Sequence, residues 1–332
     1  MEIRQLQLFV ALAQEGSFTK AAQRMNIVQS GLSISIKELE RELGTRLFDR
    51  TTRRVNLTPA GSLFLDHVRA SLITLEDGMQ AVRSQDGIVR GRLHLGILQS
   101  LGPYLQLPLL LQRFRSTFPQ IEFAVRAMRN DSIPADVRSG SVDLSFYAVI
   151  GKAEWPGVRV IPYAQDSLVA ICSRSHRFAS SKSVGLEMLS REGFVDLTAD
   201  RALRKLVDHG FAQYHLKRST VFEVSDIETA LQFVGAGLGV AVVPSALAHS
   251  SADFRQIHSL PIVDRSPRFP KWRIAILTRL RQKNLGGKST VDLFLETLAD
   301  LRAAQVSGVI RPAVRLQEKA EMTSRIRSSR RN

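Results

Sequence analysis

The chain has 332 residues, 44% of them hydrophobic, which suits two or three compact units with real cores. No apolar run reaches the roughly 18 to 20 residues of a membrane span, and the polar-studded N-terminus is unlike a signal peptide. These features predict a cytoplasmic protein without membrane contact. The single cysteine, Cys172, has apolar neighbours, so we expect an inert core thiol and no internal disulfide.

The formal net charge of +15 predicts attraction to a polyanion such as nucleic acid, but its distribution does not locate the binding surface. Residues 304–332 carry seven Arg or Lys against two Glu, and residues 265–288 carry eight further basic residues without an acid. Residues 304–332 also lack an apolar stripe and are predicted to be a disordered tail. The tail is either an auxiliary DNA contact or a dispensable extension.

Three helices are predicted near the N-terminus. Apolar residues at helical spacing predict a first helix that stops before Gly16. Ser17 is placed as the N-cap of a second helix, and Asn26 in the tight turn after it. The stretch QSGLSISIKELERELG, residues 29–44, alternates like a strand at first, but the helical period explains more of it. That period puts four apolar residues on one stripe: Leu32, Ile36, Leu39 and Leu43.

Two short helices joined by a tight turn predict a helix-turn-helix whose second helix has a small, polar outer face. Small side chains let such a helix enter a DNA major groove about 12 Å wide and reach base edges. The residues that follow predict a two-stranded wing, with arginines placed to reach phosphates or a narrow minor groove: Arg50, Arg53 and Arg54. A helical dimerisation module with a basic loop is the alternative.

A long helix is predicted to begin near Gly61 and to end in the glycine-containing segment 84–91. Its apolar residues are spaced alternately by three and four positions, which predicts a coiled-coil seam: Leu65, Val68, Leu72, Leu75, Met79 and Val82. Because such a helix is marginal alone, we expect it to pair in a dimer that places two recognition helices on two DNA half-sites. Packing on its own domain is the alternative.

Beyond this helix, strands and helices alternate, which predicts a parallel sheet flanked by helices. The first round is strand 92–98, helix 103–117, strand 121–127, helix 132–139 and strand 142–149. The second is strands 167–172, 193–197 and 221–224, helices 201–215 and 226–235, and the segment GLGVAVVP at 237–244. The last strand, 272–278, and helix 289–303 are expected to return to the first round.

Residues 1–65 resemble the winged helix-turn-helix of the LysR-type transcriptional regulators through motifs in a fixed order: GSFTKAA, LS, LE, LG, LFDR and LTPAG. The later motifs GSVDLSF and GAGLGVAVVP resemble the two-lobed, periplasmic-binding-protein-like effector domain of that family. The resemblance implies an α/β protein with an N-terminal all-α winged helix-turn-helix, a linker and an effector domain. The implied bounds are 1–58, 59–87 and 91–303, with lobe I at 91–163 and 266–303 and lobe II at 164–265.

The resemblance also implies the residues that contact DNA: Ser17, Thr19, Gln29, Ser30, Ser33, Ile34, Lys37, Arg50, Arg53 and Arg54. One departure matters. The family commonly has Ser-Gln-Pro-Ala-Leu-Ser followed by Arg, where this chain has VQSGLS followed by Ile34. We therefore expect Ser30 to cap the helix and shorten it by a turn at most. We expect Ile34 to weaken nonspecific affinity or to touch a thymine methyl.

Two-lobed folds of this type bind small molecules at the carboxyl ends of strands, near helix N-termini. Gln99, Ser100 and Leu101 follow the first strand and precede a helix, so they suit a carboxylate or another anion. The resemblance adds Thr198, Ser225 and the turn at Gly237 on the opposite wall, and Tyr147 and Arg201 face the same crevice. As alternatives, Ser100 caps the helix, Tyr147 belongs to the core, and Arg201 is a solvated side chain.

The sequence therefore predicts a LysR-type transcription regulator that binds double-stranded DNA as a dimer or tetramer. A small-molecule effector and the transcription machinery would be its further partners. No enzymatic activity, metal or cofactor is expected, because the histidines lack metal-ligand spacing and no GxSxG, P-loop or dinucleotide motif is present. The alternatives are a constitutive DNA-binding or architectural protein with a vestigial cleft, and an enzyme with an accessory DNA-binding head.

Overall fold

The structure is a computed structural model, and it describes residues 1–50, 55–83, 90–98, 101–250, 256–263, 269–280 and 289–306. Within these ranges, no helix is long and apolar enough to cross a bilayer. Several predicted features lie outside the described residues: the wing arginines Arg53 and Arg54, the side chain of Arg50, the pair Gln99 and Ser100, and the basic segment 307–332.

The three N-terminal helices are α1 (Ile3–Glu15), α2 (Phe18–Arg24) and α3 (Gln29–Leu43). Ser17 caps α2 as predicted, because its hydroxyl accepts a hydrogen bond from the Lys20 N–H at 3.5 Å. Asn26 adopts the left-handed conformation, φ 52°, in the following turn. The helical stripe of α3 is confirmed by the complete burial of Leu32, Ile36 and Leu39, whereas Leu43 lies at its exposed end.

The predicted cap at Ser30 is wrong. The helix α3 begins at Gln29, with Val28 in the extended N-cap position and no capping side chain, so the cap lies two residues before Ser30. The first hydrogen bond of the helix runs from the Leu32 N–H to the Val28 carbonyl at 3.2 Å. Ser30 therefore lies inside the first turn, where its backbone is already helical.

The predicted wing is confirmed by the antiparallel pair β1 (Phe48–Arg50) and β2 (Val55–Leu57), whose tip lies outside the described residues. The start of the wing is held to α3 by the carboxylate of Glu40. The Glu40 side chain accepts hydrogen bonds from the N–H groups of Leu47 and Phe48 at 2.9 and 3.1 Å. This contact fixes the direction of the wing relative to α3.

The long helix α4 (Pro59–Arg83) starts directly behind the wing. The Thr58 hydroxyl caps it by accepting a hydrogen bond from the Gly61 N–H at 2.9 Å. A Cβ atom on Gly61 would lie 2.0 Å from the carbonyl oxygen of Leu47, so α4 crosses the backbone just before β1 at a point where only glycine fits. The LTPAG motif therefore combines a helix cap with a backbone crossing.

One apolar face of α4 covers the N-terminal core. Leu65 and Val68 are buried there, so the prediction that they belong to an intermolecular seam is wrong, and the alternative, packing on their own domain, holds for them. The reason is that α1 to α3 are too short to enclose a core without α4. Leu72 packs beside Leu65 and Val68 but is only half-buried, so its place in a seam stays a prediction. Leu75 and Met79 remain exposed, and the side chain of Val82 lies outside the described residues.

Lobe I contains a five-stranded sheet built from β3 (Gly91–Ile97), β4 (Ile121–Ala127), β5 (Leu144–Ala148), β6 (Val158–Asp166) and β13 (Trp272–Arg279). Its strand order is β4-β3-β5-β13-β6. β3 runs parallel to β4 and β5, as predicted, but β13 runs antiparallel to β5 and β6, so the sheet is mixed. The sequence did not predict β6, because Pro162 interrupts its pattern.

Three helices cover this sheet: α5 (Leu107–Thr117), α6 (Ile133–Arg138) and α11 (Thr290–Val306). Phe114 of α5 packs against Phe123 of β4 and Phe294 of α11, with ring centroids 5.4 and 5.6 Å apart. α5 begins four residues later than predicted, because Leu101 to Leu105 form a turn.

Lobe II contains β7 (Leu168–Ser173), β8 (Val184–Gly185), β9 (Gly193–Leu197), β10 (Ser219–Val224), β11 (Ala241–Pro244) and β12 (Ile257–Val263). Its strands form the sheet β11-β7-β12-β8 and the parallel pair β10-β9, which a bridge between Phe194 and Val240 joins to it. Its helices are α7 (Leu186–Leu189), α8 (Ala202–Ala212), α9 (Ile227–Gly235) and α10 (Ser245–Ser250). Cys172 of β7 is buried as expected, and burial raises the pKa of its thiol to about 11.

We expect Gly61→Ala to destabilise the N-terminal domain by about 1 to 3 kcal/mol, because the added methyl meets the Leu47 carbonyl and the two backbones must separate. Gly31→Ala is the matched control, since a Cβ there meets only the Val28 side chain at an ordinary 3.6 Å. Urea unfolding of both variants measures the effect. Equal stability of the two variants would show that the crossing at Gly61 is not a tight constraint.

Candidate DNA-binding face and interlobe cleft

The outer face of α3 is mostly exposed, and its side chains are polar except for one isoleucine. Gln29, Ser30 and Lys37 are exposed, Ser33 is half-buried, and Ile34 leaves 58% of its surface open to water. Ser30, Ile34 and Lys37 lie on the side of α3 away from the buried stripe, and Gln29 and Ser33 lie on the adjoining flank. The structure therefore brings together the predicted residues of this helix on one continuous surface.

Contacts with α2 hold the leading end of α3. The Thr19 hydroxyl donates a hydrogen bond to the Gln29 side-chain oxygen at 3.3 Å. The Ser17 oxygen accepts the hydrogen bond that caps α2, so the Ser17 O–H can still donate to a DNA phosphate, as predicted for this residue. Because α3 has no side-chain cap, the N–H groups of its first turn are available to a phosphate, which the helix dipole also favours.

The cleft wall on lobe II is built where β9 and β10 end side by side. The Thr198 N–H donates to the Val224 carbonyl at 3.0 Å, and the Thr198 hydroxyl donates to Asp200 at 2.6 Å. Ser225 follows β10 directly, and its hydroxyl contacts Asp226 at 3.2 Å. Arg201 stands at the start of α8, with its N–H donating to the Thr198 carbonyl at 3.0 Å. The structure thus brings Thr198, Arg201 and Ser225 together.

The wall on lobe I is more buried than predicted. Tyr147 of β5 is only 7% exposed and packs edge-on against Trp155, with ring centroids 5.2 Å apart, and burial raises the pKa of its hydroxyl. Leu101 is 4% exposed and belongs to the apolar core. The core alternative therefore describes Tyr147 well, and Leu101 offers backbone groups but little side-chain surface.

Gly237 lies at the far end of lobe II from the other predicted cleft residues. It precedes Val240, which bridges to Phe194 near the amino end of β9, while Thr198 follows the carboxyl end of that strand. Four residues of extended strand separate these ends by about 13 Å. The reason for the misplacement is that β11 runs parallel to β9, so the glycine turn that enters β11 faces away from the cleft.

An ion pair joins the two lobes at the rim of the cleft. Arg129, which follows β4, lies 3.5 Å from the Asp200 carboxylate, which follows β9. The Thr198 hydroxyl, with Arg129 and Arg201 in addition, holds the pKa of Asp200 below its usual value. Sequence reasoning missed Arg129 and Asp200, although the rule that ligands bind at the carboxyl ends of strands points to both positions. Among the described residues, no His, Cys, Asp and Glu side chains cluster in a way that would hold a metal ion.

Comparisons with known proteins divide the chain in the same way. Residues 3–62 match the bacterial regulatory helix-turn-helix proteins of the lysR family, and residues 86–301 match the LysR substrate binding domain. A probable RuBisCO transcriptional regulator of Cyanophora paradoxa is 36% identical over 256 residues, which cover 74% of this chain and 77% of that protein. The uncharacterized HTH-type transcriptional regulator YybE of Bacillus subtilis is 34% identical over 244 residues, which cover 74% and 82%.

The solved structure of a full-length OxyR variant from Pseudomonas aeruginosa has the same architecture. It matches with a TM-score of 0.67 and 25% sequence identity, over 96% of this chain and 99% of that chain. Full-length BenM matches with a TM-score of 0.54 and 26% identity, over 92% and 98%. The likeness in both cases extends over the N-terminal helices, α4 and both lobes.

Replacing Gln29 by Ala is expected to weaken binding to a preferred DNA sequence by about 1 to 3 kcal/mol, because an amide side chain can pair with adenine through two hydrogen bonds. Binding to random-sequence DNA should change little. Gln7→Ala, on the exposed side of α1, is the matched control. Fluorescence anisotropy with both kinds of DNA measures the effect. An equal loss on random DNA would mean that Gln29 only positions the helix.

Proposed function

The chain belongs to the LysR family of helix-turn-helix regulators, and from this premise we propose how it reads DNA and what controls it. Its function is that of a DNA-binding transcription regulator with an effector-binding domain. The observation that carries the proposal is the single helix α4, which joins the domain bearing the outer face of α3 to the lobes that form the cleft. The constitutive alternative has no observation in its favour.

In the proposed complex, α3 enters the major groove from its uncapped end. Gln29 reads a base edge, while Ser30 and Ser33 are small enough to let the backbone approach. Ile34 contacts a thymine methyl, and Lys37 contacts a phosphate further along the helix. Thr19 orients the Gln29 amide through the hydrogen bond that joins them. The wing residues Arg50, Arg53 and Arg54 supply sequence-independent phosphate contacts.

We propose that two copies pair through the exposed face of α4, because the regulator needs two recognition helices on one DNA site. Apart from His67, that face carries small or apolar residues: His67, Ala70, Ser71, Thr74, Leu75, Gly78 and Met79. Leu75 and Met79 expose 42% and 41% of their surface in the single chain. A dimer of dimers would use further surfaces of the lobes.

The proposed effector is a small molecule with a carboxylate or similar anionic group. The N–H groups of the first turn of α8, which follow Arg201, would bind this group. Gln99 and Ser100, which come directly after β3 in the sequence, are proposed to contribute from lobe I. The ligand is bound and released without a chemical step. The protein acts in the cytoplasm on DNA, and effector binding changes how the bound dimer meets the transcription machinery.

Selection of DNA from a random-sequence pool by the purified full-length protein tests the proposed function. We expect enrichment of a two-fold symmetric site whose half-sites are separated by one helical turn, about 10 base pairs, or by a multiple of it. Binding to the enriched site should fall steeply with salt, as expected for phosphate neutralisation. Failure to enrich any sequence over the input pool would contradict sequence-specific regulation.

Leu75→Asp is expected to disrupt pairing, because it places a charge in the middle of the exposed face of α4. The matched control is Leu63→Asp, at an even more exposed position nearer the start of the same helix. Light scattering should show monomers for Leu75→Asp and a wild-type mass for Leu63→Asp. A dimer that persists in Leu75→Asp with wild-type affinity would place the interface elsewhere.

A further inference from the structure

We propose that the short helix α6 couples the rim of the cleft to the linker helix α4, and that this contact carries control from the cleft to the DNA-binding domain. The inference rests on the proposed function and adds the physical route for it. It is carried by what α6 touches: the rim of the cleft lies at its amino end, and α4 lies at its carboxyl end.

The amino end of α6 is anchored in the rim. Arg129 binds the Asp131 carboxylate at 2.9 and 3.2 Å and reaches Asp200 of lobe II at 3.5 Å. Next to it, the Asn130 side chain donates to the Ala148 carbonyl at 3.0 Å and accepts from the Ala148 N–H at 2.8 Å. The turn that begins α6 is thus tied both to the end of β5 and to the opposite lobe.

The carboxyl end of α6 docks on α4. The guanidinium of Arg138 lies 3.7 Å from the Asp66 carboxylate. Gly140, at φ 72°, faces Ile73 so closely that a Cβ there would lie 1.7 Å from the Ile73 methyl. Because both side chains of the ion pair are about half exposed, the pair itself adds little, and the close packing of Ile73 on Gly140 is the main contact.

A third residue of α4 makes the docking sensitive to position. Arg69 is half-buried and lies near the carboxylates of Asp66 on α4 and Asp136 on α6. Its Nε is buried without a hydrogen-bond partner in the part of the chain that the structure describes. A shift of α6 would therefore change how well a partly desolvated charge is balanced.

The helix is built to move as one piece. Ile133 and Val137 are fully buried in lobe I, so α6 is packed against this core and moves together with it. The six residues of α6 span only about 9 Å between the turn at the rim and the contact with α4. A change at the rim therefore reaches α4 through a short, packed connection.

The face of α4 that receives α6 is separate from its other surfaces. Asp66, Arg69 and Ile73 follow one another at spacings of three and four residues, so they form one stripe. Leu65 and Val68 lie on the neighbouring stripe, inside the N-terminal core. A force on Ile73 thus acts within two turns of the residues that hold the DNA-binding domain together.

A double-mutant cycle on the full-length protein tests the coupling, with the affinity for its selected DNA as the readout. Asp200→Asn releases the rim ion pair, and Ile73→Ala removes the packing on Gly140. We expect Asp200→Asn to change the dissociation constant by about twofold to thirtyfold in the wild-type background. In the Ile73→Ala background, the same substitution should have no measurable effect, because the contact that transmits it is gone.

Two controls have matched chemistry: Glu187→Gln neutralises an exposed carboxylate of lobe II, and Leu63→Ala shortens an exposed side chain of α4. Ile73→Val, which removes the terminal methyl that faces Gly140, replaces Ile73→Ala if the latter fails to fold by circular dichroism. Independent, multiplying effects of Asp200→Asn and the α4 variant would overturn the coupling, as would a silent Asp200→Asn. Loss of sequence preference in the wild-type protein would instead count against the proposed function.

Discussion

The rest of the structure depends on the helix α4, which packs against the N-terminal domain and against lobe I at the same time. α4 begins at the crossing of Gly61 over the Leu47 carbonyl, where there is no room for a side chain. From there its Leu65 and Val68 complete a core that three short helices cannot close alone. The neighbouring face meets lobe I at Ile73. Because the start of α4 is fixed so tightly, a displacement further along it is not absorbed by sliding and must be carried into the N-terminal domain.

Packing within the N-terminal domain also fixes the orientation of the outer face of α3. Its buried stripe fixes the orientation of the helix, and Glu40 fixes the wing relative to it, so the reading surface is set before DNA arrives. The missing cap leaves N–H groups at the leading end for a phosphate. Ile34 puts an apolar side chain on that face where the family commonly has an arginine. Nonspecific attraction to phosphates is then weaker, and contact with particular base edges contributes a larger share of the binding energy.

Much of this was predictable from sequence, because local patterns decide it: the stripe of α3, the cap at Ser17, the wing, and most strands of both lobes. The failures have a common physical cause in long-range packing. Leu65 and Val68 were predicted to form an intermolecular seam, because their spacing does not show whether they pack on their own domain or on a second chain. Gly237 was misplaced because strand direction is set by the sheet. β6 and β12 carry prolines, Pro162 and Pro261, that obscure their patterns. Gln99, Ser100 and the wing arginines remain predictions.

The most direct test is hydrogen–deuterium exchange of the full-length protein with and without its selected DNA, since coupling between two sites must work in both directions. DNA bound at α3 should change exchange in α4, in α6 and in the rim turn at residues 129–131. The change in α6 and the rim should vanish in Ile73→Ala while that at α3 remains. Protection confined to residues 17–37 and the wing in the wild-type protein would contradict a connection between the DNA-binding face and the cleft.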